Sequence, residues 1–146
     1  MKINFHQVFT VSIVAVLGMN GANAMSKTTA TSNNVYYACH ADGDLAAQKA
    51  LCAAAAEYLS KNGYQAQMQT GDISDGLLLE FFLDELTKHK IAGRMGWSQC
   101  SAGHCGAKTI SPLLETNVMD ASVSAHSYSS FVKSLFIVGK PPLEKP

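Results

Sequence analysis

The residues of this chain best suited to chemistry are four cysteines and the histidines beside them: Cys39 with His40, Cys52, and the run Cys100-Ser-Ala-Gly-His104-Cys105. Two thiolates and an imidazole so close together could begin a zinc or copper site, with His126 or His40 completing it. Against that, the run lacks the C-x₂-C spacing that brings two thiolates to one ion, and adjacent His and Cys seldom reach the same metal. Cys39 is expected at a strand end ahead of a helix, where a helix N-terminus stabilises a thiolate. His40 is its neighbour, but consecutive strand residues point to opposite faces, so it is badly placed as a base. The C-x-x-C pattern of disulfide exchangers is absent, since Cys39 is followed by His40, Ala41 and Asp42.

Two acidic turns, Asp42/Asp44 and Asp72/Asp75, each follow an expected strand. If they met at one end of a sheet they could hold a cation or work as an acid–base pair. Asp is also favoured in turns and caps for local reasons, and Asp120 reads the same way. Trp97 shares a face with Ile91 and Met95, which suits a core. Were that face left open, Phe81, Met95 and Trp97 would form an apolar recognition patch. The chain carries no nucleophile elbow, phosphate-cradling glycine motif, H-E-x-x-H or calcium loop.

How the thiols read depends on where the protein works. Residues 1–24 have the form of a cleaved signal peptide: Lys2, then ten membrane-seeking residues at 8–17 (VFTVSIVAVL), then Ala22 and Ala24 at the positions a signal peptidase reads. That stretch is too short for a membrane helix, which needs about 20 residues, and no later stretch is long enough. The residue after the cut is Met25, so no lipid-modified Cys is expected. The destination is then the periplasm or the outside of the cell, where thiols are kept oxidised. Four cysteines therefore read as two disulfides. Cys100 with Cys105 closes the shorter loop, leaving Cys39 with Cys52. The second pair meets a geometric objection: Cys52 lies in the third turn of the expected helix, about 12 Å along its axis, whereas bridged Cα atoms come within about 7 Å.

Removing 24 residues from 146 leaves 122, enough for one domain with its own core. The mature part has ten basic and eleven acidic residues in no run of like charge, which argues against a nucleic-acid partner. Residues 25–34 are small and polar, a flexible lead-in. A domain follows at 35–139, then a loose tail at 140–146.

Within the domain, 35–40 (VYYACH) reads as a strand. Asp42 or Asp44 caps a helix over 45–62 that Gly63 ends. Residues 64–70 alternate as a half-buried strand. Residues 77–86 could be a helix or a strand. Their alternation of Leu77, Leu79, Phe81 and Leu83, and the glycines Gly93 and Gly96 in the segment after them, favour a hairpin joined by 85–90. Residues 99–108 read as a loop pinned by cysteines, and 109–119 as a last strand bent at Pro112. Tyr128, Phe131, Val132, Leu135 and Phe136 mark a final amphipathic helix, with Ser122 or Ser124 as N-cap.

The order β-α-β-β-β-β-α predicts an α+β domain: an antiparallel sheet of about four to five strands, two helices on one face, stapled by disulfides. With no assembled catalytic set, the reading is an exported, non-catalytic binding or accessory protein without a cofactor. Its partner would be a protein or small molecule of unspecified kind. The alternative is a thiol-redox or metal-binding protein using Cys39, Cys100, His104 and Cys105.

Overall fold

The computed structural model describes residues 34–119 and 122–145. The expected leader and most of the lead-in lie outside the described residues. Strand β1 (Val35–Ala41) leads through a short turn into helix α1 (Leu45–Lys61). Asp44 is the N-cap, its Oδ1 accepting the Ala47 N–H at 2.8 Å. Asn62 closes the helix, and Gly63 turns the chain away at a φ of +83°. Strand β2 (Ala66–Met68) is followed by β3 (Gly76–Thr87) and β4 (Lys90–Ser101). Then come three short strands, β5 (His104–Cys105), β6 (Thr109–Ile110) and β7 (Leu114–Asn117), and helix α2 (Ala125–Gly139).

The sheet is mixed, not antiparallel as the sequence reading expected. Its order is β2-β1-β3-β4, with β5, β6 and β7 pairing in turn along the outer edge of β4. β1 runs parallel to both β2 and β3, while β3 and β4 form an antiparallel hairpin. The cause is α1. A helix of 17 residues spans about 25 Å and returns the chain to the end of the sheet where β1 began, so the next strand starts parallel to it. The 69–75 connection then brings the chain back to start β3 in the same direction on the other side of β1. Residues 77–86 are strand, as the alternation indicated. The strands run further than expected, leaving only Lys88 and His89 as the turn.

The last expected strand is two strands separated at Ser111–Leu113. Pro112 has no N–H for the ladder, and Ser111 takes over the interrupted pairing. Its Oγ accepts the Met95 N–H at 3.0 Å and its own N–H reaches Met95 O at 2.8 Å. Residues 101–104, expected as loop, form a tight hairpin. Ala102 and Gly103, with φ of +50° and +79°, are the two central residues of a turn whose twist suits the flanking strands.

Both helices pack on one face. Val35, Tyr37, Cys39, Leu79, Phe81, Ile91 and Met95 from the sheet join Leu51, Ala55 and Leu59 of α1 and Phe131, Val132, Leu135 and Phe136 of α2 in one buried cluster. The helices meet through Tyr58 and Phe136, stacked at 4.2 Å, and Phe136 also touches Phe81 at 5.8 Å. Gly139, the last residue of α2, lies where a Cβ would stand 2.7 Å from Met95 Cε. The absence of a side chain there lets the helix end press onto β4. Beyond it, Leu143 packs against the same core.

Candidate functional site

The structure joins Cys39 to Cys52 and Cys100 to Cys105. The first bond is possible because α1 folds back over β1. From Cys39 the chain climbs to Asp44, and the eight residues from Asp44 to Cys52 descend about 12 Å. Climb and descent cancel, and the Cα atoms come within 5.7 Å. Cys100 and Cys105 face each other across the β4–β5 pairing. His104 is exposed beside that bond. Among the described residues no group of three or more His, Cys, Asp and Glu side chains is placed to hold a metal ion.

The two acidic turns are not brought together. Asp42 and Asp44 lie beyond the C-terminal end of β1, whereas Asp72 and Asp75 precede β3, which starts beside Val35 at the other end of the sheet. They serve different places: Asp44 caps α1, and Asp75 Oδ1 accepts the Ala102 N–H of the β4–β5 turn at 3.2 Å. Trp97 is half-buried against the helix-side core, so the imagined patch of Phe81, Met95 and Trp97 is covered; Phe81 and Met95 are fully buried.

Polar side chains converge instead on the face that, among the described residues, no helix covers. Register places Tyr36, Ala38 and His40 of β1 beside Leu78, Glu80 and Phe82 of β3, and these beside Ser98, Gly96 and Arg94 of β4. At one end this face is closed by its own loops. Ile73, from the 69–75 connection, packs on Leu78, Cys100 and Tyr36. Gly103 N–H bonds Ser74 O at 2.9 Å, tying that connection to the β4–β5 turn.

At the other end stands a charged cluster around a buried carboxylate. The Glu80 side chain is only 12% exposed. Its Oε1 is 3.4 Å from His40 Nε2, and its Oε2 is 2.5 Å from Lys108 Nζ. Oε2 is cut off from solvent and has no well-aligned hydrogen bond, so Lys108 meets it as a counter-ion. The His40 ring stacks on Phe82 at 4.8 Å, with 13° between planes, and Lys108 Nζ lies 5.3 Å from the Phe82 centroid. Lys108 arrives from the segment between β5 and β6, passing over Gly96. A Cβ at Gly96 would stand 3.2 Å from Lys108 Cδ and 3.3 Å from Phe82 Cε2.

Beyond Phe82, Arg94 forms a two-pronged ion pair with Asp84, Nε to Oδ2 at 2.9 Å and Nη2 to Oδ1 at 3.0 Å. The pairing register shifts between Leu83 and Glu85, leaving Asp84 out of the ladder. Hydrogen bonding to Asp84 raises the Arg94 pKa, as bonding to Glu85 and Glu115 raises that of Lys90. A shallow hollow of about 160 Å³ between α1 and α2, lined by Ala54, Glu57, Tyr58, Lys61, Ser129 and Lys133, offers less. Its clearest polar feature is the exposed Glu57–Lys61 pair along one helix.

Sequence reasoning considered His40 only as a base or metal ligand and passed over Glu80 and Lys108. The available signal was Glu80 and Phe82 on the wet side of an alternating strand opposite Gly96, a position where another chain segment can cross.

Comparison with models of protein families finds no match, and comparison with curated proteins finds none. Among solved structures, the PelC dodecamer from Paraburkholderia phytofirmans superposes with a TM-score of 0.50 at 12% identity, over 71% of this chain and 86% of that one. A single-residue variant of that dodecamer gives 0.48 at 10%, over 70% and 82%. A minor lipoprotein from Acinetobacter baumannii gives 0.39 at 9%, over 74% of this chain and 94% of that one. At 12% identity the likeness to PelC is one of fold.

Proposed function

We propose that this chain is an exported binding domain without catalytic activity, an accessory protein of the bacterial periplasm whose working surface is the helix-free face of the sheet. The observation that carries the reading is the contrast between the sheet's two faces. One is filled by both helices, while the other gathers Glu80, His40, Lys108 and Arg94 around Phe82 with no helix of the described residues over them. Such a face offers fixed charge and an aromatic surface for recognition.

The disulfides support the compartment, because paired cysteines persist where thiols are kept oxidised. They also weigh against the thiol alternative, since Cys39, Cys52, Cys100 and Cys105 are all bonded. Among the described residues no helix is long and apolar enough to cross a membrane.

The test is to express the full-length chain in a Gram-negative host, fractionate the cells and measure intact mass and thiols. The expected species is periplasmic, begins at Met25 and shows no reactive thiol when denatured without reductant. A cytoplasmic chain retaining residues 1–24, or one with titratable thiols in the native preparation, overturns the reading.

A further inference from the structure

We infer that the surface formed by His40, Glu80, Phe82 and Gly96 is a binding site for a linear primary alkylammonium, occupied at rest by the chain's own Lys108. The inference rests on the helix-free face being the working surface, and names what that surface takes and what closes it. A buried carboxylate is costly unless a cation faces it. Glu80 Oε2 is shut off from water, and its counter-ion is Lys108, so the position demands positive charge.

The parts around Glu80 are those that recognise an amine on a flexible stem. Glu80 supplies a fixed anion. Phe82 supplies an aromatic surface 5.3 Å from the ammonium, and the His40 ring stacks on it. Gly96 supplies a track, since a Cβ there would crowd the Lys108 stem at 3.2 Å. A guanidinium is the poorer fit. Its planar fork asks for both carboxylate oxygens, and Oε1 already faces His40 at 3.4 Å.

Lys108 is held there by a loop, not by a strand ladder. The segment 106–108 leaves β5 after Cys105 and runs along the outer edge of β4 to β6, from where the Lys108 stem reaches over Gly96. Its anchor is Gly106 N–H on Gln99 O at 2.8 Å, next to the Cys100–Cys105 bond. A tethered lysine competes with an effective concentration of order millimolar. An incoming amine therefore enters only in excess over that concentration or if it brings further contacts along the face, so Lys108 acts as a threshold. A diamine and a lysine side chain of a partner present the same stem and charge.

The experiment is calorimetric titration of the disulfide-bonded mature domain at constant ionic strength. The probes are n-butylammonium, cadaverine and Nα-acetyl-lysine methylamide; tetramethylammonium and Nα-acetyl-arginine methylamide serve as controls. Lys108→Ala is expected to bind n-butylammonium at least about ten-fold more tightly than the native protein. Adding Glu80→Gln should abolish that gain. Lys108→Met, which keeps a stem over Gly96 without its charge, should bind no better than the native protein. Cadaverine binding better than the lysine derivative points to a free diamine, and the reverse order to a lysine of a partner.

No gain in Lys108→Ala, a gain that survives Glu80→Gln, or equal binding of tetramethylammonium overturns the proposal. If Lys108→Ala does not fold, the ¹³Cε resonance of Lys108 in the native protein decides. Saturating n-butylammonium should move it to the value of a free lysine, and an unmoved resonance overturns the site. Export and thiol status do not enter these readouts, so this inference and the exported-domain reading fail separately.

Discussion

Phe81 and Phe82 are neighbours in β3, yet they do opposite things. Phe81 is fully buried among β4, α1 and α2, where it can only be packed. Phe82 is half-buried on the other face, between His40 and Lys108, where its ring organises charge. One face of this sheet is committed to holding the protein together, while the other retains groups whose chemistry is not consumed by the fold. The period of two in a strand makes that division possible within two adjacent residues.

The sharpest way to test the division is to truncate both rings. Phe81→Ala should cost about 4 kcal/mol in denaturant unfolding, as large core truncations do. Phe82→Ala should cost only about 1 kcal/mol. Equal costs would mean that the second face is as structural as the first.

The glycines of β4 pose the same question. A Cβ at Gly93 would sit 2.1 Å from Phe82 O and 3.1 Å from Phe131 Cζ, and the backbone cannot yield, so Gly93→Ala should cost about 3 kcal/mol or leave little folded protein. At Gly96 the nearest atoms belong to the Lys108 stem and the Phe82 ring edge, which can move. Gly96→Ala should cost about 0.5 kcal/mol while displacing Lys108, visible as a shift of its side-chain resonances.

The disulfides differ less. With sequence separations of 13 and 5, loop-closure entropy assigns about 3 kcal/mol to Cys39–Cys52 and about 2 kcal/mol to Cys100–Cys105. Paired Cys→Ala replacements, compared by urea midpoint, measure both. A larger loss for the second pair would show that the hairpin supports more of the covered face than its position suggests.

The smallest effect is on pH dependence. Burial raises the pKa of Tyr58 and of Tyr128, both on the helices of the covered face. A folded-state value above the unfolded one, about 10, means that their contribution is complete below that pH. It falls as pH rises through the folded value, because the unfolded chain ionises first. Ultraviolet titration of the native protein should show these two phenolates appearing late, with unfolding free energy declining in the same alkaline window.

Much of the architecture was legible because it is local. Asp44 before a run of helix formers, Gly63 after it, and Tyr128 to Phe136 at helical spacing each dictate an element from within a few residues. The alternation of Leu77 to Leu83 and the glycines of β4 decided strand over helix for the same reason. The parallel direction of β1 and β2 was also implied by a strand–helix–strand order, since a helix as long as α1 must carry the chain back, whereas that of β3 depends on the 69–75 connection.

The candidate site was not legible. Glu80, His40 and Lys108 lie on β3, β1 and a loop respectively, and no spacing in the chain relates them. What brings them together is the pairing register of β1 with β3 and the reach of the Lys108 side chain over Gly96. By itself the sequence determined the elements, their caps, the hairpin and the even set of cysteines, all from interactions that span a few residues. Only the tertiary structure decided which strands lie side by side, how α1 doubles back to join Cys52 to Cys39, and which cation faces the buried Glu80 carboxylate. Those outcomes depend on contacts between segments far apart in the chain, whose energies no local pattern records.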